Sequence, residues 1–146
     1  MEQDYTNWIA ERAKCNMAAL WADVCNLLVK NVKWMNDEST ERGWGIHYSK
    51  PSNGTHRTTR YRGQEEEGSC RWRYEDGPAR VVFTVKQPDF TACLTTRWDA
   101  ETSQCQLVVK LSVHQAEVEF LHAELGKAVQ YILEPFFFPK EAPTAS

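Results

Sequence analysis

Apolar residues follow one period near the start of the chain, a different period through its middle, and the first period again near its end. Ile9, Ala13, Met17, Leu20, Val24, Leu27, Leu28, Val32 and Met35 recur mostly three or four residues apart, as on one face of an α-helix. This predicts a single amphipathic helix of about thirty residues, roughly 45 Å long at 1.5 Å per residue, capped by Thr6 or Asn7. Glu11, Lys14, Asp23 and Lys30 form its polar side, and the polar run 36–43 ends it.

From Trp44 the period becomes two. Trp44, Ile46 and Tyr48 alternate with Gly45 and His47. Cys70, Trp72 and Tyr74 alternate with Arg71 and Arg73, and Val81, Phe83 and Val85 with Arg80, Thr84 and Lys86. Strand-like runs over 55–62, 90–98 and 103–111 complete the set. Asn53-Gly54, Asp76-Gly77, Pro88-Asp89 and the polar residues 99–102 supply turns, and 63–68, with its three glutamates, reads as a hairpin connection. Six short strands with brief links predict an antiparallel meander.

The helical period returns at Ser112, with Gln115 three residues later as in a capping box. Val118, Leu121, Leu125, Ala128, Val129 and Ile132 form the stripe, and Pro135 closes it. The expected fold is therefore α+β: an N-terminal helix, a six-stranded curved antiparallel meander sheet and a C-terminal helix, with both helices packed on one face of the sheet. It forms a single domain over 1–138, followed by a disordered tail over 139–146. Six strands at ~4.8 Å span more width than two helices of ~10 Å cover. The sheet should curl and leave an apolar pocket between the layers.

Composition narrows the function classes. The 146 residues carry a net charge of −3, which argues against whole-molecule attraction to DNA or anionic membrane. No apolar run approaches the ~20 residues of a membrane helix, so no transmembrane segment is expected. The acidic, polar start lacks the form of a signal peptide, giving a cytoplasmic expectation. The five cysteines are odd in number and form no CxxC pair, which predicts reduced core thiols. Asn53-Gly54-Thr55 matches a glycosylation acceptor but reads as a turn.

Charge placement is more informative than charge total. Acids fall in expected turns or at strand ends. Arg57, Arg71, Arg73, Arg80, Lys86, Arg97 and Lys110 fall within strands on the less apolar side, defining a basic outer face. Such a face keeps a sheet soluble, or it binds a polyanion such as nucleic acid or anionic phospholipid. Trp72 and Tyr74 alternate away from the arginines, against the shared stacking-and-charge surface that single strands need.

Catalytic signals are sparse. Glu119-x-x-His122 has a di-iron half-motif spacing without the partners it requires, and no metal or cofactor is expected. The catalytic set stays unknown; His47 is the candidate base for an enzyme. Tyr48, Trp72, Tyr74 and Trp98, with His47, are the candidate ligand contacts of the inner pocket. Phe136, Phe137 and Phe138 either plug the core or form an apolar patch. The leading expectation is a small intracellular, non-catalytic binding module that uses the basic face, the pocket or both. A pocket enzyme and a polyanion binder are the alternatives. The partner classes are a small apolar ligand, an acidic partner, or a second copy joined through open sheet edges.

Overall fold

The computed structural model describes residues 7–39, 44–52, 54–114 and 116–139. Its elements are helix α1 (Trp8–Ala13), helix α2 (Met17–Ser39), strands β1 (Trp44–Ser52), β2 (Thr55–Arg62), β3 (Glu65–Glu75), β4 (Arg80–Lys86), β5 (Phe90–Asp99), β6 (Gln104–Leu111) and β7 (Val118–Leu121), a short 3₁₀ turn at His122–Glu124, and helix α3 (Leu125–Phe137). Every strand pairs antiparallel with its sequence neighbour, in the order β1 to β7. The α+β class and the meander agree with the alternation; the strand number is seven, not six.

Met17, Leu20, Val24, Leu28, Val32 and Met35 of α2 are all buried, at the spacing that lays one helical stripe on a sheet. They meet Ile46, Cys70, Trp72, Val81, Phe83, Val85, Leu94, Leu107 and Val109 from the strands, and Ala128, Val129, Ile132, Leu133 and Phe136 from α3, in one core. Asn36 extends the β1 edge: its Nδ2 donates to Ile46 O and its Oδ1 accepts from Ile46 N, both at 2.7 Å. The side chain thus occupies backbone groups that an edge strand leaves open.

Four expectations are corrected. The first helix is broken at Lys14–Asn16. Asn16 bridges the break, donating to Ala13 O and accepting from Ala19 N at 2.8 Å each. Asn7 caps α1 by accepting from Ala10 N; Thr6 lies outside the described residues. Helix α1 buries nothing, and Ile9 is 63% exposed.

The second correction concerns Ser112. Its hydroxyl accepts from Thr91 N at 2.9 Å and its N–H donates to Thr91 O at 2.8 Å, so it continues the sheet ladder and opens no helix. Gln115 lies outside the described residues. Val118 and Phe120 face inward as strand positions opposite Val109 and Leu107. The helical spacing of Val118, Leu121 and Leu125 was therefore coincidental. Pro135 does not end α3, which runs on to Phe137. A proline costs a helix the N–H to the fourth preceding carbonyl, and burial of Phe136 and Phe137 behind it offsets that loss. Phe138 stays exposed.

Third, the hairpin connection between β2 and β3 is only Gly63-Gln64; Glu65, Glu66 and Glu67 belong to β3. A register shift beside Arg60 and Tyr61 accommodates the extra residue.

Fourth, the thiols are not all reduced. Cys15 and Cys105 form a disulfide, with Cα atoms 5.5 Å apart and a separation of 90 in sequence. Closing so long a loop removes unfolded-state entropy worth on the order of 4 kcal/mol. Cys25, Cys70 and Cys93 are free thiols, and burial pushes Cys70 up to about 12. No described helix is long and apolar enough to cross a membrane.

Candidate functional site

The residues expected to line an inner pocket separate into three places. Tyr48, Trp72 and Tyr74 gather at one end of the helix–sheet interface with Trp21 of α2 and His56 of β2. His56 stacks on Trp72 at a centroid distance of 5.1 Å and meets the Trp21 edge at 5.4 Å. Tyr48 lies 6.0 Å from both His56 and Trp72, and Trp21 lies 6.0 Å from Tyr74. These are ring-to-ring contact distances, so the cluster is filled by its own side chains. Trp98 stands apart, with the Arg12 guanidinium 5.4 Å from its ring. His47 lies exposed on the other face, opposite Thr59.

His56 also joins a polar chain. Its Nδ1 is 2.9 Å from the Tyr48 hydroxyl and its Nε2 is 3.5 Å from Cys25 Sγ. Burial raises the thiol, partly offset by the Trp72 indole N–H, although that N–H is buried without a partner in hydrogen-bond geometry among the described residues. Burial lowers His56; burial first, then the Cys25 charge, raises Tyr48. The pair is therefore thiol and neutral imidazole near pH 7, not the thiolate–imidazolium form that makes a nucleophile. Sequence reasoning missed His56 because β2, THRTTRYR, is polar on both faces and hides its own alternation. Only its pairing, His56 with Trp72, reveals the inward face.

The open space lies elsewhere. Phe90, Leu111, Val113, Tyr131, Pro135 and Phe138 line a cleft of about 810 Å³ at the junction of the β4–β5 turn, the end of β6 and the end of α3. Its polar members are Arg60, Glu67, Gln87, Asp89, His114 and Glu134. Arg60 is the key residue. Unlike Arg57 of the same strand, Arg60 points inward and is only 6% exposed. Its guanidinium donates to Phe136 O, to Glu67 O at 3.1 Å and to Gln87 O at 2.9 Å, and lies 5.1 Å from the Phe136 ring. Phe136 O is one of the last carbonyls of α3, which have no partner within the helix and carry the negative end of its dipole. One cation thus caps α3 and ties it to β3 and the β4–β5 turn. Burial lowers the Arg60 pKa, partly countered by Glu67.

Gly68, opposite Arg60 on β3, makes this arrangement sterically feasible. A Cβ there would lie 2.8 Å from Lys86 O, 2.9 Å from Gln87 O and 2.9 Å from Arg60 Nη2. Gln87 has φ 59°, a left-handed conformation costing roughly 1–2 kcal/mol for a residue with a Cβ, and its carbonyl is one that Arg60 binds.

The outer face is more neutral than its sequence suggested. Arg57 pairs with Glu66 at 3.0 Å and Arg62 with Glu67 at 3.0 Å. Glu75 receives both Arg73 and Arg80 at 2.7 Å, and Arg97 meets Glu117 and Glu119. The two arginine bonds hold the Glu75 carboxyl below its ordinary range. Arg71, Lys86 and Lys110 have no ion-pair partner among the described residues. Glu119 and His122 lie on β7 and the 3₁₀ turn, so the helical metal spacing does not arise. No group of three or more metal-ligand side chains occurs among the described residues.

Comparison with protein-family models, with curated proteins and with solved structures gives no match.

Proposed function

We propose that the protein is a non-catalytic binding module that takes a small apolar ligand in the cleft beside Arg60. The observation carrying this reading is a cleft of about 810 Å³ lined mainly by apolar side chains, with a smaller set of polar ones. That volume and that mixture are typical of small-molecule sites. The ligand's apolar body rests on Phe90, Leu111, Val113 and Tyr131. Three of the five guanidinium donors of Arg60 serve backbone carbonyls, leaving two for a ligand oxygen. Asp89 and Glu134 also line the cleft and favour an uncharged group on the part of the ligand that enters it.

The test is a fluorescence titration with uncharged, environment-sensitive naphthalene dyes. Saturable binding should be abolished by Val113→Glu, which alters a residue already 61% exposed and leaves the fold intact. It should persist in Tyr48→Phe, at the aromatic end. Equal binding by both variants would remove the cleft from consideration.

A pocket enzyme is the second reading, favoured by the Cys25–His56–Tyr48 chain. The neutral state of that chain and the packed rings around it weigh for the binding module instead.

A further inference from the structure

Arg57 and Arg71 stand directly opposite one another across β2 and β3, and Lys86 stands opposite Ser69 across β3 and β4. All four belong to the outer face of the sheet. Like charges set opposite each other on neighbouring strands repel; Glu66 offsets Arg57, and Arg71 has no such partner among the described residues. The four residues line one depression of about 310 Å³, whose walls include Gly68, Glu66, Glu67 and Gln87.

Two further features distinguish this depression from an ordinary charged surface. Ser69 is only 6% exposed and lines the depression. Arg57 Nε is buried without a partner among the described residues, while Nη2 of the same residue holds Glu66. Arg62 engages Glu67. Glu66 and Glu67 are thus engaged by Arg57 and Arg62, while Arg71 and Lys86 line the depression without an ion-pair partner among the described residues. A buried donor without a partner, as at Arg57 Nε, is rare in folded proteins because it costs free energy.

We propose that this depression binds a phosphate monoester. Arg71 and Lys86 supply charge from opposite sides, the Ser69 hydroxyl donates to one phosphate oxygen, and Arg57 Nε donates to another. Arg71 and Lys86, the two lining cations without an ion-pair partner among the described residues, suit the charge of a phosphate monoester, about −1.5 to −2 at neutral pH. The site is separate from the apolar cleft and does not depend on it. Glu67 and Gln87 form a wall common to both, so a single molecule with a phosphate head and an apolar tail could span the two.

The experiment is an NMR titration of amide and arginine Nε–H signals with inorganic phosphate, using sodium chloride at matched ionic strength as reference. Saturable shifts at Arg57 Nε–H, Ser69, Arg71 and Lys86 are expected with phosphate and not with chloride. Arg71→Gln should weaken binding roughly tenfold, the loss of one charge-assisted contact, and Ser69→Ala should weaken it less. Lys110→Gln, on the same face but outside the depression, should leave binding unchanged. Shifts that chloride reproduces, or an effect of Lys110→Gln equal to that of Arg71→Gln, would overturn the proposal by reducing it to general surface charge. A second arm uses monododecyl phosphate below its micelle concentration. Tighter binding than inorganic phosphate, with displacement of dye from the cleft, identifies a lipid-like source. Equal binding without displacement identifies a soluble phosphate ester.

Discussion

Trp72 and Gly68 lie four residues apart on the same face of β3, about 13 Å along the strand, yet the interface between helices and sheet is built differently at each. At Trp72 five aromatic and imidazole rings meet and fill the volume. At Gly68 the missing side chain admits a guanidinium, which holds three carbonyls together beside open space. Large aromatic residues signal where a core is thick and closed. A ligand-sized gap arises instead where small residues, a proline turn and a helix end meet, because such pieces cannot interdigitate.

Substitutions can break this contrast, and their effects should fall in order. Trp72→Ala empties a position that is 1% exposed and should cost about 4 kcal/mol in urea unfolding. Arg60→Met strips three carbonyls of their donor and should cost about 3 kcal/mol. Gly68→Ala should displace the guanidinium and cost about 2 kcal/mol, with little further loss when combined with Arg60→Met, since both act on one joint. Full additivity in that double variant would show that Arg60 and Gly68 are not coupled.

The smallest effect is a pH dependence at the aromatic end. Burial holds His56 below its ordinary value of 6.5, so below that value the unfolded chain binds a proton that the folded one refuses. Stability should be full above pH 6.5 and decline as pH falls beneath it. His56→Phe should flatten the profile between there and the onset of carboxylate titration. An unchanged slope would assign it to another histidine.

The sequence was most legible where one face of an element is apolar and the other polar. Val81, Phe83 and Val85 against Arg80, Thr84 and Lys86 left no ambiguity, and the buried stripe of α2 was readable from Met17 to Met35. It was least legible where polar residues face inward. Arg60 and His56 sit in a strand with no apolar alternation, and their burial depends on register partners, Gly68 and Trp72, that only strand pairing specifies. Similarly, Val118–Leu121 fits both periods, and its pairing with Val109 and Leu107 decides between them. Several of the strand arginines stand beside carboxylates that the alternation did not place near them. A one-residue register shift draws Glu65 to Glu67 out of the expected loop and onto the strand beside the arginines.

The bond between Cys15 and Cys105 has a topological consequence. It closes a covalent ring that contains α2 and the first five strands in full, while α1 at one side and β7 with α3 at the other hang outside it as branches. A chain cut once within the ring remains one molecule, its halves separable only by a reductant. A cut between β7 and α3 leaves the α3 fragment with no covalent link to the rest. The two parts of the cleft thus differ in how they are joined to the protein: the β4–β5 turn belongs to the ring, and the end of α3 is held against it by packing and by Arg60.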